Sequence, residues 1–333
     1  MKVLYLDEYK RSMKGKNVFI ACREGILRDH FIEIVNDIKF LNRQDINTFF
    51  FHNISKKLAN HRILKEIELK LFQSNIVRIP SDTNFYEAVL KYSTNVFKIV
   101  FIERSCLLDK HKNKINTLTT HKMRKNLNFH DVISNVNFNN IFDIICYKIE
   151  QNENLRVHIL PAVKNAIKHE LFSIEGSGTM IANNFHEKFS NKINQQEIRI
   201  IVNILKSYKY QGFLKPRSKE YIKSNIDNFY VAKIDDVIVG CAEKLEINSE
   251  CIELGSLAVS TKFRSQQIGF FIINSFINEM KNYCVKQIVS LTNNPKLQSI
   301  FLSLGFKQKC PKELYQRQEK SPNIKMYIKN INY

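Results

Sequence analysis

No stretch of about 18 consecutive uncharged apolar residues occurs in the 333-residue chain, which excludes a membrane-spanning helix. The first residues, MKVLYLDEYKR, lack the apolar core of a secretion signal, so a cytoplasmic location is expected. The seven cysteines (22, 106, 146, 241, 251, 284 and 310) form no CxxC pair. They read as thiols of a reducing compartment, with neither a zinc site nor a disulfide framework. No GxGxxG or Walker-type glycine pattern is found, so no ATP site is expected. No histidine follows His186. Any proton chemistry in the second half therefore falls to carboxylates.

Lysine and arginine number 51 against 32 acidic residues, a formal charge of +19. The lysines are spread along the chain, with no basic block interleaved with aromatics and no nucleic-acid motif. The charge therefore reads as a Lys, Asn and Ile bias, with no nucleic-acid partner expected. With 44% apolar residues, the length fits two domains with two cores.

The first half, to about residue 183, alternates strand and helix patterns. This favours an α/β sandwich with a largely parallel sheet. Residues 17–22 (NVFIAC), 47–51 (NTFFF), 98–103 (KIVFIE) and 156–160 (RVHIL) are buried-strand runs, while 31–42 and 56–72 have helical periodicity. Residues 110–139 are charged, Asn-rich and poorly patterned, and no structure is assigned to them. Gly176 and Gly178, with Thr179, form the dense glycine pair of this half: a loop permitting close backbone approach to a ligand, or a plain interdomain turn.

In the second half, 195–209 reads as helix and 211–228 as a loop and a helix capped by Ser218. Residues 229–234, a turn at Asp235-Asp236 and 237–247 form a hairpin. Residues 251–281 then read as strand, turn and helix, with an apolar strand to Val259 and an apolar helical face from Ile268 to Met280. A turn before a helix N-terminus holds phosphate on backbone N–H groups, to which Arg264 can add a charged hydrogen bond; an ordinary strand-to-helix connection is the alternative. Glu253 is conspicuous as a charge within an apolar strand. It is either the general base that an ammonium nucleophile requires or a salt-bridged structural residue.

The run Leu257-Ala258-Val259, then Phe263-Arg264 and Gly269, resembles the acetyl-CoA pyrophosphate motif of the GNAT acetyltransferase superfamily. Gln267 stands where that family usually has its first glycine. Residues 294–306 resemble the superfamily's closing helix and turn, with Phe301 at the place of a tyrosine that protonates the departing thiolate. Further segments appear in order: Val157–Leu160, Glu170-Leu171-Phe172, Gly176 to Thr179, Gln211-Gly212, Arg217-Ser218, Ile238 to Ala242 and Glu253. Together they resemble bacterial N-acetylglutamate synthases, which join an amino-acid-kinase-like domain to a GNAT domain. The resemblance implies a shortened first domain at 1–183 and a mixed-sheet GNAT domain at 187–333.

It also implies acetyl transfer from acetyl-CoA to the α-amino group of L-glutamate, the entry to arginine synthesis, without metal or ATP, in a homo-oligomer. The implied catalytic residues are Glu253 and Ser256. Acetyl-CoA would lie on Leu257, Ala258, Val259, Arg264, Ser265, Gln266, Gln267, Ile268 and Gly269, and substrate on Arg217, Lys320 and Ser321. Glu170, Gly176, Gly178 and Thr179 would receive an L-arginine effector. The substrate end departs from the family, with Glu319-Lys320 in place of an arginine pair and Asn228 in place of a lysine. Three readings therefore stand: a glutamate acetyltransferase, a GNAT enzyme for another amine, and a non-catalytic protein sensing an amino acid or CoA.

Overall fold

A computed structural model describes residues 3–92, 95–125, 132–134, 141–264, 266–310, 314 and 323–331. The chain divides into two compact units, Met1–Phe185 and His186–Tyr333.

The first unit is built on β1 (Asn17–Cys22), β2 (Asn47–His52), β3 (Asn75–Arg78), β4 (Lys98–Glu103), β5 (Leu107–Asp109), β6 (Thr117–Thr119), β7 (Val132–Ser134), β8 (Arg156–Pro161) and β9 (Thr179–Ala182). Seven of these form one sheet in the order β3-β2-β1-β4-β8-β9-β6, and β5 pairs with β7. All pairs in the large sheet are parallel except β8 with β9. Alternate residues of one strand serve two cores, as a sheet covered on both faces requires. Phe19 and Ala21 join the helices Phe85–Lys91 and Phe142–Gln151 on one face. Val18, Ile20 and Cys22 join Phe31–Arg43 and Ala166–Phe172 on the other. This explains why NVFIAC and KIVFIE carry no polar alternation. The segment 56–72 is helical only as a short turn at Leu58–Asn60 and a helix at His61–Lys70. Within 110–139, the described residues hold β6, β7 and a helix at Thr120–Lys125.

The glycine loop closes on a buried carboxylate. Glu170 is 1% exposed. One carboxylate oxygen lies 2.8 Å from His158 Nδ1, and the other accepts the N–H groups of Ser177 (2.6 Å) and Gly178 (2.9 Å). Thr179 is fully buried, with its hydroxyl donating to Ile115 O at 2.6 Å and accepting from Leu107 N–H at 3.1 Å. Gly176 takes a positive φ of 64°. A Cβ on Gly178 would lie 2.2 Å from Ile159 O, a main-chain atom of β8 that cannot yield. In this structure the carboxylate of Glu170, expected with Gly176, Gly178 and Thr179 to receive L-arginine, is held by His158 and by the N–H groups of Ser177 and Gly178.

The second unit contains β10 (Lys188–Ser190), β11 (Phe229–Ile234), β12 (Val237–Glu246), β13 (Cys251–Val259), β14 (Gln287–Thr292), β15 (Lys307–Gln308) and β16 (Lys325–Asn330). They form a sheet in the order β10-β11-β12-β13-β14-β16-β15. It is antiparallel except where β13 meets β14. The β11–β12 hairpin turns on Asp235 and Asp236, both at positive φ (51° and 62°), as a two-residue turn between twisted strands demands. The helix Ile268–Lys281 packs its apolar stripe on this sheet: Phe276 meets Tyr230 edge-on at 5.4 Å, and Ile272 and Phe276 are fully buried. Burial of side chains this size stabilises by about 1.5–3 kcal/mol each. Gly240 permits the contact, since a Cβ there would lie 2.6 Å from Ile272 Cδ1.

Removal of the Glu170 carboxylate should destabilise the chain by about 3–5 kcal/mol, because it strands the buried His158 side chain and two loop N–H groups. Gly178→Ala should also lower stability, by about 1–3 kcal/mol or more. Urea denaturation of the intact chain, followed by circular dichroism, checks both; unchanged midpoints would contradict the structural role.

Candidate active site

The site begins with one surplus residue. Cys241 pairs with Ala258 and Glu243 with Gly255, so two residues of β12 span three of β13. The surplus is a bulge at Ser256 and Leu257, opposite Ala242, and Ser256 takes φ +47°. A non-glycine residue in this conformation costs about 1–3 kcal/mol, and such strain concentrates at functional sites. The neighbouring pairing fails as well. β13 and β14 are registered only at Cys251↔Gln287, Ile252↔Ile288 and Glu253↔Val289, although β13 continues to Val259 and β14 to Thr292. Beyond Glu253 the two parallel strands part, bridged by Ser290 Oγ donating to Leu254 O at 2.8 Å.

The gap between them is a cleft. Residues 254–257 of β13 line one wall, and Ser290, Leu291 and Thr292 of β14 line the other. Asn294 and Leu297, and Tyr208, Phe213 and Leu214, complete it. Main-chain groups of strands that no longer pair with each other can bind an extended ligand as an inserted strand would.

A buried carboxylate that the sequence reading did not single out anchors the wall. Glu243 is fully buried on β12. Its Oε2 accepts from Arg217 Nε and Nη2 at 3.0 Å and from the Ser256 hydroxyl, and its Oε1 accepts from Tyr221 OH at 2.5 Å. The Arg217 guanidinium also lies 4.7 Å over the Tyr221 ring. Burial, then the bond to Glu243, pushes the Tyr221 phenol above its ordinary range. Burial likewise raises the neighbouring Cys241 thiol. The signal in the sequence was a charge within the apolar run VIVGCAEKLE, of the same kind that drew attention to Glu253.

Of the expected catalytic pair, Ser256 lies in the cleft and Glu253 does not. Glu253 is 6% exposed and stands at the last registered pair before the strands part. Arg217 turns its Nε and Nη2 edge toward Glu243, with Nη1 on the other side of the guanidinium. Ser265, Lys320 and Ser321, and with them Glu319, lie outside the described residues. Phe301 is fully buried, stacked at 5.6 Å on Tyr327.

The strand ends in the expected turn. Ser260 N–H donates to Val239 O at 2.7 Å, a short 3-10 turn spans Thr261–Phe263, and Gln267 caps the helix Ile268–Lys281 with φ +59°. That left-handed conformation is the physical reason a glycine suits position 267. The helix is 14 residues long, and the N–H groups of its first turn have no partners within it. Ser260 Oγ is buried without a hydrogen-bond partner at the foot of the turn. Leu257, Ala258, Val259, Gln266, Ile268 and Gly269 are all on this wall, turn or first helical turn. Arg264 does not point at the helix terminus: its Nη2 donates to Ser207 Oγ at 2.8 Å and its guanidinium lies 4.6 Å over the Tyr208 ring. Among the described residues no cluster of three or more His, Cys, Asp or Glu side chains could hold a metal ion, and no helix is long and apolar enough to cross a membrane.

A bulged strand, its parting from a parallel neighbour and a helix N-terminus beyond the turn are the elements of the second unit's site. Residues 198–306 match the acetyltransferase (GNAT) family profile. More particularly, the chain is similar to curated amino-acid acetyltransferases. It is 30% identical to that of Photorhabdus laumondii subsp. laumondii over 139 residues, 41% of this chain and 31% of the relative. It is 29% identical, with the same coverage, to one from Yersinia pseudotuberculosis. The chain thus matches about a third of the length of these relatives. Over nearly its full length it shares a fold with N-acetylglutamate synthase of Neisseria gonorrhoeae, solved with coenzyme A and L-arginine, at TM-score 0.55 and 16% identity over 98% of both chains. The mixed α/β architecture with a C-terminal GNAT domain is the one expected from the sequence.

Loss of the Glu243 carboxylate should be severe, because it leaves Arg217 as a part-buried charge without its counter-ion and Tyr221 and Ser256 without their acceptor. Glu243→Ala should cost about 3–5 kcal/mol in urea unfolding. A change below about 1 kcal/mol would show the network to be replaceable by water.

Proposed function

We propose that the protein is an N-acetyltransferase that moves the acetyl group of acetyl-CoA to the α-amino group of an amino acid, with L-glutamate the acceptor favoured by its relatives. The parting of β13 from β14 beyond Glu253 carries this reading, because it exposes strand edges in the place where an extended thioester-bearing arm would bind. Leu257 and Ala258 would hold that arm, since the Tyr208 hydroxyl takes both main-chain polar groups of Val259. The N–H groups of Gln267, Ile268 and Gly269 at the helix start would hold the pyrophosphate, and the uncommitted Ser260 hydroxyl adds a donor at the foot of the turn. An L-arginine effector, as bound in the gonococcal structure, would compete at the Glu170 loop with the N–H groups of Ser177 and Gly178 for the buried carboxylate.

An ammonium must lose a proton before it attacks a thioester. Ser256 lines the cleft with its hydroxyl on Glu243, so the geometry favours a relay from the amine through Ser256 to that carboxylate. Glu253 is the second candidate base, favoured by its burial where the strands part. The N–H groups of Leu257 and Ala258, beside the bulge, would receive the oxyanion of the tetrahedral intermediate. The outer edge of Arg217 would take a substrate carboxylate, bidentate recognition being what a guanidinium does best.

Thiol release from acetyl-CoA, measured against a panel of amino acids and polyamines, tests the reading. Release with L-glutamate or another α-amino acid is expected, and none with any amine would refute it. Ser256→Ala should lower kcat by about 10²-fold while KM for acetyl-CoA holds. A full loss in Glu253→Gln with Ser256→Ala active would move the base to Glu253.

A further inference from the structure

The first unit holds a cavity of about 400 Å³, the size of a small-ligand site, at the carboxyl ends of its parallel strands. β1 lies between β2 and β4 and runs parallel to both. The chain leaves β1 for β2 on one side and reaches β4 on the other, so the strand order reverses between β1 and β4. Connections part at such a reversal, and the crevice outside the strand ends is where open α/β sheets take ligands. The residue after each strand lines it here: Arg23 after Cys22, Asn53 after His52 and Arg104 after Glu103.

The acceptors of this wall are occupied, and several of its donors are not. Glu103, 2% exposed, accepts from Tyr86 OH on one carboxylate oxygen (2.5 Å) and from Arg23 Nη2 on the other (2.9 Å). Glu24 accepts from Arg28 on Oε1 at 2.7 Å and from the Ser55 N–H on Oε2 at 3.4 Å, while Asn53 Oδ1 accepts the Glu24 N–H at 2.6 Å. Against these, Arg23 hydrogen-bonds only through Nη2 among the described residues, and its Nε is buried without a partner. Arg104 is exposed and makes no hydrogen bond or ion pair among the described residues. Counted with their ion-pair partners, the wall's side chains set three guanidiniums (Arg23, Arg28, Arg104) against two carboxylates (Glu24, Glu103), which leaves one positive charge. A ligand that brings acceptor oxygens and negative charge completes the set.

We propose that this cavity binds a small oxyanion, a carboxylate or phosphate group, held by Arg104, the remaining N–H groups of Arg23 and the Asn53 amide. Guanidinium forks match the paired oxygens of both groups. The site is separate from the acetyl-transfer cleft, and every residue lining it belongs to the first unit.

Calorimetry of the intact protein with saturating CoA, titrated with inorganic phosphate and separately with succinate, tests the proposal. At least one probe should bind with a Kd of about 1 mM or tighter. The tighter of the two tells a phosphate ligand from a carboxylate one. Arg104→Gln should weaken that binding about tenfold or more, as loss of a charge-assisted hydrogen bond does. Gly25→Leu should abolish it: Gly25 lines the cavity, and a Cβ there meets nothing within 4 Å, so the added side chain fills the space without a clash at its root. Both variants should keep the wild-type thermal midpoint without probe. Binding of neither probe, or binding that Arg104→Gln leaves unchanged, overturns the proposal.

Discussion

The extra residue in β13 governs the second unit. An antiparallel pair with one surplus residue must bend and twist the bulged strand. Here that strand registers with β14 for only three residues and then leaves it. Sheets normally satisfy every buried main-chain group, so edges opened in mid-sheet carry a cost unless something fills them. The molecule limits that cost locally. Ser290 spans the gap to Leu254 O, and the Tyr208 phenol occupies both polar groups of Val259.

The same bend aims the rest of the chemistry. Because Ser256 occupies the left-handed region, its hydroxyl reaches across the strand pair to Glu243, which Arg217 and Tyr221 hold from outside β12. A fully buried carboxylate would be costly alone, and three donors make it tenable. Past the bulge, β13 runs directly into the turn and the helix Ile268–Lys281, whose start is locked by Ile272 against Gly240. Strand edge, the Ser256–Glu243 hydrogen bond and helix terminus thus follow from a single irregularity. The first unit shows the opposite economy: its one dense glycine loop closes on its own buried Glu170.

Much of this was legible in the sequence, where physics leaves a local mark. Strands buried on both faces must be continuously apolar, so β1 and β4 are visible as NVFIAC and KIVFIE. The helix after the turn shows its stripe, and Gly269 marks its first turn. What escaped depends on long-range partners. Glu243 is one charge in an apolar strand, and nothing local says that Arg217, Tyr221 and Ser256 converge on it. Tyr208 lies 51 residues from Val259 on an amphipathic helix, where an aromatic reads as packing. Glu170 is ambiguous in the sequence for a physical reason. A carboxylate beside two glycines suits a cationic ligand and a buried loop closure equally well, and nothing local tells that His158 and the N–H groups of Ser177 and Gly178 meet it.

The central claim, that the parted strands and the following helix start form the acetyl-CoA site, is tested most directly by amide hydrogen exchange with and without acetyl-CoA. Protection on binding should concentrate in residues 254–269 and 290–297, the walls of the cleft and the turn. No protection there at saturating acetyl-CoA, or protection confined to the first unit, would contradict the account.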